Sequence, residues 1–245
     1  MTQDGETGKI RIAAVGDLRM AAEQRGSLQS QYKAVSESAD VLLLAGGLTA
    51  SGLVSEAEIL ADELDGVGVP IVAVLGARDH EIGQESLIRA ALTSLGWKVL
   101  DASAVLLDVR GTRIGIAGLT GFPGGFGLDY QLWSGVREHR QADREQSQVK
   151  RFGAALTGLA EQGAELRVAL THFSPVPGTL SGERDTVRPN LGNQVLGQTV
   201  DDAGADLAVH AMARRGTHRG RTFGGIPVYN VSQPVLGEPY AVIAL

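Results

Sequence analysis

Short segments carrying glycine, carboxylate, imidazole or guanidinium groups follow five apolar runs of the sequence. In chain order they are residues 16–19, 46–49, 76–81, 171–173 and 210–216. Carboxylate and imidazole groups ligate divalent metals and act as general acids and bases, whereas guanidinium groups pair with planar oxyanions. The same segments could form a metal site or an anion site, provided that the fold brings them together.

The apolar runs have the length and composition of strands that are buried on both faces. They are residues 9–15, 40–45, 69–75, 166–170 and 206–209. Segments with helical spacing alternate with them, at residues 27–38, 55–64, 86–95 and 137–162. This alternation predicts an α/β sheet. Ligands of such sheets bind beyond the carboxyl ends of the strands, which is where the five segments lie.

Antiparallel elements are predicted in the second half of the chain. Residues 105–109 and 113–117 flank a short turn and predict a hairpin. Three closing strands are predicted at residues 219–223, 227–231 and 240–245. The sequence therefore predicts two stacked sheets with helices outside.

No linker, repeat or low-complexity tract divides the sequence, which predicts a single domain over residues 1–245. Residues 1–8 are polar and predict a flexible tail, and residues 121–145 predict a cap or crossover region. Four aromatic residues of this region are either a local hydrophobic cluster or an aromatic wall of a cleft: Phe122, Phe126, Tyr130 and Trp133.

Taken together, the five segments resemble the motifs of the calcineurin-like metallophosphoesterases. That family has Gly-Asp-x-His after its first strand, Gly-Asp after the second, Gly-Asn-His-Asp/Glu after the third, and then Thr-His and Gly-His-x-His. The order and spacing agree here, from about residue 9 to residue 245. The resemblance implies an α/β fold, a two-sheet αββα sandwich of the metallophosphoesterase type. It also implies a family chemistry in which two divalent metals (Mn, Fe, Zn or Mg) hold a hydroxide that attacks phosphorus.

Most of the family's metal-binding positions carry other residues in this sequence. Arg19 stands where the first motif has histidine, and Gly47 where the second has the bridging aspartate. Ala77 replaces the asparagine ligand, and Arg78 replaces the histidine that the family uses near the leaving group. The replacements in the last motif are Ala211 for glycine, and Met212 and Arg214 for two histidines.

Asp17 and His172 are the remnant ligands that match the family at metal-binding positions. Guanidinium offers no lone pair, a thioether is a poor ligand for these ions, and each ion needs about four to six ligands. We therefore expect no metal centre and no other cofactor, and no residue is assigned a catalytic role.

Arg19, Arg78, Arg214 and His172 are the candidate anion-binding residues. Arginine pairs bidentately with oxyanions, so the expected partner is a small phosphate-containing or other anionic ligand. Asp79 is interpreted as a turn or helix-start residue, and the direction in which His210 points is left open.

Composition excludes several classes of function. The net charge of −6 argues against a general nucleic-acid binder or a protein of anionic membrane surfaces. The absence of cysteine excludes disulfides and thiolate chemistry. Without a targeting segment or a membrane-length apolar run, we expect a cytoplasmic protein, whose oligomeric state the sequence leaves open.

Three functions follow as hypotheses. The leading one is a metallophosphoesterase-fold protein without an intact di-metal site, inactive as a phosphoesterase, whose cleft binds phosphate-like anions. The second is an active metal-dependent phosphoesterase, acting on phosphodiesters or phosphomonoesters, with an atypical site. The third is a metal-independent enzyme that uses the cleft for an anionic substrate. The residues thus leave open whether the chain is an enzyme.

Overall fold

The computed structural model describes residues 9–131 and 139–245 of the chain. The predicted tail at residues 1–8 lies outside the described residues, as do residues 132–138 of the predicted cap, including Trp133. The single domain predicted for residues 1–245 therefore stays a prediction over its full length.

Strands and helices alternate in the first half of the chain, as predicted. The elements are β1 (Arg11–Val15), α1 (Gln29–Tyr32), α2 (Val35–Ser38), β2 (Val41–Ala45), α3 (Val54–Glu63), β3 (Ile71–Val74), α4 (Glu85–Ser94) and β4 (Lys98–Leu100).

The second half of the chain contains the antiparallel strands. The elements are β5 (Ser103–Val109), β6 (Thr112–Leu119), α5 (His139–Glu161), β7 (Leu166–Thr171), α6 (Gln194–Ala203), β8 (Leu207–His210), β9 (Arg219–Arg221), β10 (Pro227–Asn230), α7 (Gln233–Leu236) and β11 (Ala241–Ala244).

The described strands form one five-stranded and one six-stranded sheet. The first sheet has the order β11-β1-β2-β3-β4, in which β1 to β4 run parallel and β11 is antiparallel to β1. The second has the order β5-β6-β7-β8-β10-β9, with antiparallel strands at both edges. The strands that precede the five segments, β1, β2, β3, β7 and β8, each have a neighbouring strand on both sides.

Alternate strand residues face different layers. Leu43 packs with Val168 in the core between the sheets, whereas its neighbour Leu44 packs on the outer face with Leu60 of α3. Phe152 of α5 covers the outer face of the second sheet together with residues of α6. This arrangement confirms the predicted two-sheet αββα sandwich.

Local details differ from the sequence-based expectations. The helix predicted over residues 27–38 is two short helices, because Ala34 leaves the helical region with φ −98° and ψ 12°. The break lets Tyr32 and Val35 both enter the core. The edge strand β4 and the four-residue α7 were not predicted, since segments so short carry no periodicity. Among the described helices, none has the length and apolar character needed to cross a bilayer.

Candidate functional site

The five predicted segments meet at one edge of the sandwich, where glycines allow very close approach. A Cβ atom on Gly16, after β1, would lie 2.4 Å from the Cβ atom of Ala211, after β8. A Cβ atom on Gly76, after β3, would lie 2.1 Å from the backbone nitrogen of Gly47 and 2.8 Å from the ring of His172. Only glycine fits at such positions, so these turns fix the distances between the loops.

Asp17 is a buried carboxylate at this edge, with 3% of its surface exposed. Its Oδ1 atom accepts a hydrogen bond from Nε of Arg19 at 3.4 Å. Its Oδ2 atom accepts a hydrogen bond from the Ser232 hydroxyl at 3.2 Å and lies 3.6 Å from Nη1 of Arg214. The carboxylate is therefore held between two guanidinium groups.

The backbone around Asp17 is strained. Asp17 and Arg19 have φ values of 56° and 49°, in the left-handed region that non-glycine residues seldom occupy. Their N–H groups donate to the carbonyls of Gly46 and Gly47, each at 2.8 Å. These bonds to the loop after β2 hold a conformation that costs of order 1 kcal/mol for each residue.

Gly47 leaves no room for a side chain beside this carboxylate. A Cβ atom at this position would lie 2.5 Å from Oδ1 of Asp17. A side chain at position 47 would therefore collide with the Asp17 carboxylate.

Arg78 and Arg214 complete a group of three arginines with Arg19. Burial lowers the pKa of Arg214, and the positive charges of Arg19 and Arg78 lower it further, whereas Asp17 and Glu183 act to raise it. Arg19 and Arg78 therefore lie near enough to Arg214 for their charges to act on it. The predicted residues do not include Glu183, which lies in a loop whose sequence gave no sign of a site.

Each arginine keeps part of its side chain open to solvent, with exposed fractions of 32% for Arg19, 46% for Arg78 and 38% for Arg214. Arg78 pairs with Glu81 at 3.2 Å on the surface. Exposed pairs of this kind contribute only about 0–1 kcal/mol, so an anion can compete for Arg78. Nη1 of Arg214 is buried and has no hydrogen-bond acceptor among the described residues.

His172 is 1% exposed. Its ring lies against Gly46 and Gly76, which follow β2 and β3. Its Nδ1 atom lies 2.8 Å from the carbonyl oxygen of Ala45, and a carbonyl can only accept, so Nδ1 carries the proton. The edge of the ring meets Phe173 at a centroid distance of 5.7 Å. The ring of His172 therefore sets the spacing between the loops after β2 and β3.

Two of the motif positions have other surroundings. Ala77 is exposed and lies at the rim of a separate cavity of about 1020 Å³, beside Phe122 and Phe173. Met212 packs against the apolar cluster under α5 and α6. Neither residue belongs to the arginine group.

Asp79 ties two of the loops together. It lies in a 3-10 turn, as its interpretation as a turn residue requires, and it is fully buried. Its carboxylate accepts from the N–H groups of Leu48 at 3.1 Å, Thr49 at 2.8 Å and Gly76 at 2.6 Å, and from the Thr49 hydroxyl at 2.6 Å. The loops after β2 and β3 are therefore held as one unit.

His210 points into the fold. Its Nε2 atom lies 2.8 Å from the Thr179 hydroxyl, which lies 2.9 Å from the Ser174 hydroxyl. Complete burial, aided by the nearby His172, lowers the pKa of His210 to about 3. Sequence reasoning did not find this network, because its partners come from a loop without recognisable pattern.

The donor set around Asp17 does not fit a pair of divalent metals. Both carboxylate oxygens already face guanidinium or hydroxyl groups, and Gly47 has no space for a second carboxylate. Within the described part of the chain, no cluster of three or more histidine, aspartate or glutamate side chains is arranged to hold a metal ion.

Comparison with known proteins gives matches in structure alone. No protein-family model and no curated sequence matches the chain. The protein TT1561 of Thermus thermophilus superposes with a TM-score of 0.59 at 16% identity, over 96% of this chain and 94% of that protein. The chain has the metallophosphoesterase-type sandwich fold. At such identity the likeness concerns the fold alone.

Two further solved structures share this sandwich. GAP50, the anchor in the inner membrane complex of Plasmodium, has a TM-score of 0.59 at 11% identity, over 92% of this chain and 72% of that protein. A putative 5'-nucleotidase from Staphylococcus aureus has a TM-score of 0.54 at 15% identity. That match covers 91% of this chain and 48% of the nucleotidase, so this chain corresponds to about half of it.

Replacing Asp79 tests the unit formed by the two loops. In Asp79→Asn an amide NH₂ must face backbone N–H donors, so we expect the free energy of unfolding to fall by about 2–3 kcal/mol. Urea denaturation measures the change, with the exposed Asp65→Asn as the matched control. A loss below about 0.5 kcal/mol in Asp79→Asn would show that the carboxylate does not hold the loops.

The buried His210 predicts a pH dependence of stability. The unfolded chain protonates this histidine below about pH 6.5 and the folded protein only below about pH 3, so its contribution to stability falls as the pH drops through this window. Between pH 7 and pH 5 the loss is about 2 kcal/mol. We expect His210→Gln to lose that much less stability than the wild type over this range, measured by denaturation at both pH values. The exposed His80→Gln should behave as wild type, and equal pH slopes in all three proteins would refute the assignment.

Proposed function

We propose that this chain is a metallophosphoesterase-fold protein without a working di-metal site, and that its cleft binds a phosphate-like anion through Arg19, Arg78 and Arg214. The observation that carries the proposal is the position of Asp17, held between the guanidinium groups of Arg19 and Arg214. In this cleft, fixed arginine charges stand where a metal-dependent site would need divalent ions.

This arrangement removes the source of a nucleophile. Hydrolysis of phosphate esters by a di-metal site relies on metals that lower the pKa of bound water from about 15.7 to about 7. Guanidinium groups donate hydrogen bonds but cannot bind hydroxide as a ligand. Phosphoester hydrolysis is therefore expected at background.

Anion binding uses the donors that Asp17 leaves free. Each guanidinium has five N–H donors, and the contacts with Asp17 engage one nitrogen of Arg19 and one of Arg214. Like-charge repulsion among the three arginines is relieved when an oxyanion lies among them. His172 is buried and bonded to the Ala45 carbonyl, so the ligand contacts in this proposal are those of the three arginines.

The carboxylates near the cleft limit the affinity. Glu81 forms an ion pair with Arg78, and Glu183 lies near Arg214. An anion must displace or share these partners, so binding in the millimolar range is expected, as for a small ligand that makes a few charge-assisted hydrogen bonds.

A thermal-shift series with phosphate and sulfate tests the proposal. With a Kd near 1 mM, 10 mM anion stabilises the folded state by about 1.4 kcal/mol, which raises the Tm by roughly 3–5 °C. Sodium chloride at matched ionic strength should give a smaller rise, and added salt should reduce the phosphate effect through screening.

Two triple variants locate the binding site. Arg19→Gln, Arg78→Gln and Arg214→Gln together should abolish the phosphate-specific shift. The matched control replaces three arginines that pair with carboxylates elsewhere: Arg25→Gln, Arg110→Gln and Arg188→Gln. Equal shifts in both variants, or no phosphate-specific shift in the wild type, would contradict anion binding in the cleft. Turnover of phosphate esters without added metal would instead support a metal-independent enzyme.

A further inference from the structure

Carboxylates lie beside each of the guanidinium groups of the arginine cleft. They belong to Asp17, Glu81 and Glu183. The formal charges of these three side chains cancel those of the three arginines. A fully deprotonated anion in the cleft therefore meets like charges as well as opposite ones, which weakens its binding. An anion that still carries a proton can instead donate a hydrogen bond to a carboxylate.

Two of these carboxylates are poorly suited to accept that hydrogen bond. Asp17 is 3% exposed, and its two oxygens already face Arg19 and Ser232. The Oε2 atom of Glu81 pairs with Arg78 at 3.2 Å, but the Glu81 side chain is 53% exposed. An exposed side chain of this kind can turn into water when an anion approaches, so Glu81 offers no fixed acceptor.

Glu183 offers a carboxylate oxygen that is both held in place and available. Its Oε1 atom accepts a hydrogen bond at 2.6 Å from the backbone N–H of Arg215, the residue that follows Arg214. Its Oε2 atom accepts no hydrogen bond from any residue in the described ranges 9–131 and 139–245, and the side chain is partly exposed. One oxygen thus anchors the carboxylate, and the other is left for a ligand.

The segment that carries this carboxylate is bound to the segment that carries Arg214. A Cβ atom on Gly182 would lie 2.3 Å from the carbonyl oxygen of Arg215, so the two segments pack backbone to backbone there. The N–H of Thr217 donates to the carbonyl of Thr179 at 3.1 Å. These contacts fix the acceptor of one segment relative to the donors of the other. Such pre-organisation reduces the entropy lost when a ligand binds.

We propose that Glu183 makes the cleft selective for a protonated oxyanion, with orthophosphate as its ligand. Glu183 accepts a hydrogen bond from the P–OH group, while Arg214 donates to a deprotonated oxygen of the same anion. This inference rests on the proposed anion site and names its ligand class. At neutral pH each form of inorganic phosphate retains a proton, whereas sulfate retains none. The bond from P–OH to a carboxylate is charge-assisted and therefore strong.

The same selection excludes phosphate esters. A phosphodiester has no proton to donate, and a phosphomonoester has none above its second pKa of about 6. At about pH 8, hydrogen phosphate, sulfate and methyl phosphate are all dianions, but only hydrogen phosphate carries a proton. A hydrogen bond to a charged group changes affinity by about 10- to 100-fold, which is the expected preference for hydrogen phosphate over the other two.

NMR titrations of the full chain with these three dianions test the proposal at about pH 8 and constant ionic strength. The backbone amide of Arg215 reports on binding, because it donates to Glu183. The wild type should bind hydrogen phosphate about 10- to 100-fold more tightly than sulfate or methyl phosphate.

Variants of the carboxylate separate selection from binding. Glu183→Gln retains an oxygen for the Arg215 N–H but presents an NH₂ group, which donates to a deprotonated oxyanion. Its affinities for hydrogen phosphate and sulfate should agree within about threefold, mainly because sulfate binds more tightly. Glu183→Ala, which removes the acceptor without adding a donor, should also lose the preference. Glu81→Gln is the matched control and should keep the wild-type preference.

The outcomes distinguish this inference from the anion site itself. Thermal melting establishes that each variant is folded. Equal binding of phosphate and sulfate by the wild type would overturn the selection and leave the anion site in place. A wild-type preference that persists in both Glu183 variants would do the same. A wild type in which none of the three dianions shifts the Arg215 amide would overturn the anion site and the selection together.

Discussion

A buried carboxylate needs hydrogen bonds or a positive charge to replace its lost hydration. At the site edge of this sandwich, Asp17 meets that need largely with positive charge. Removing a carboxylate from water costs several kcal/mol unless charge and hydrogen bonds replace the lost hydration. Arg19, Arg214 and Ser232 supply that replacement. At about 4 Å in a partly solvated environment each ion pair has a gross attraction of about 4 kcal/mol, which is reduced by the solvent exposure of both arginines.

The local geometry follows from holding Asp17 in this place. Asp17 and Arg19 have left-handed backbone conformations, and the loop after β2 accepts hydrogen bonds from their N–H groups. Gly47 must lack a side chain because Asp17 occupies the adjoining space. Glycine at position 47 and the buried Asp17 side chain are therefore parts of one arrangement.

The parallel strands and the loops that meet at the site could be predicted from the sequence, because they depend on local patterns of residues. Continuous apolar runs ending in glycine indicated the parallel strands, and the order of the five segments indicated which loops meet. Contacts between residues far apart in sequence could not be predicted. Ser232 contacts Asp17 across 215 residues of chain, and Glu183 and Thr179 come from an irregular loop. The break at Ala34 also escaped prediction, since it depends on which apolar side chains the core accepts.

The proposed anion site requires that the arginines around Asp17 leave no place for a pair of metals. Metal content measures this most directly: the purified chain is incubated with excess manganese or zinc at neutral pH, desalted, and analysed for metal per chain by mass spectrometry. The account predicts well below one tightly held ion per chain. A stoichiometry near two, lost when Asp17 is replaced by asparagine, would contradict it.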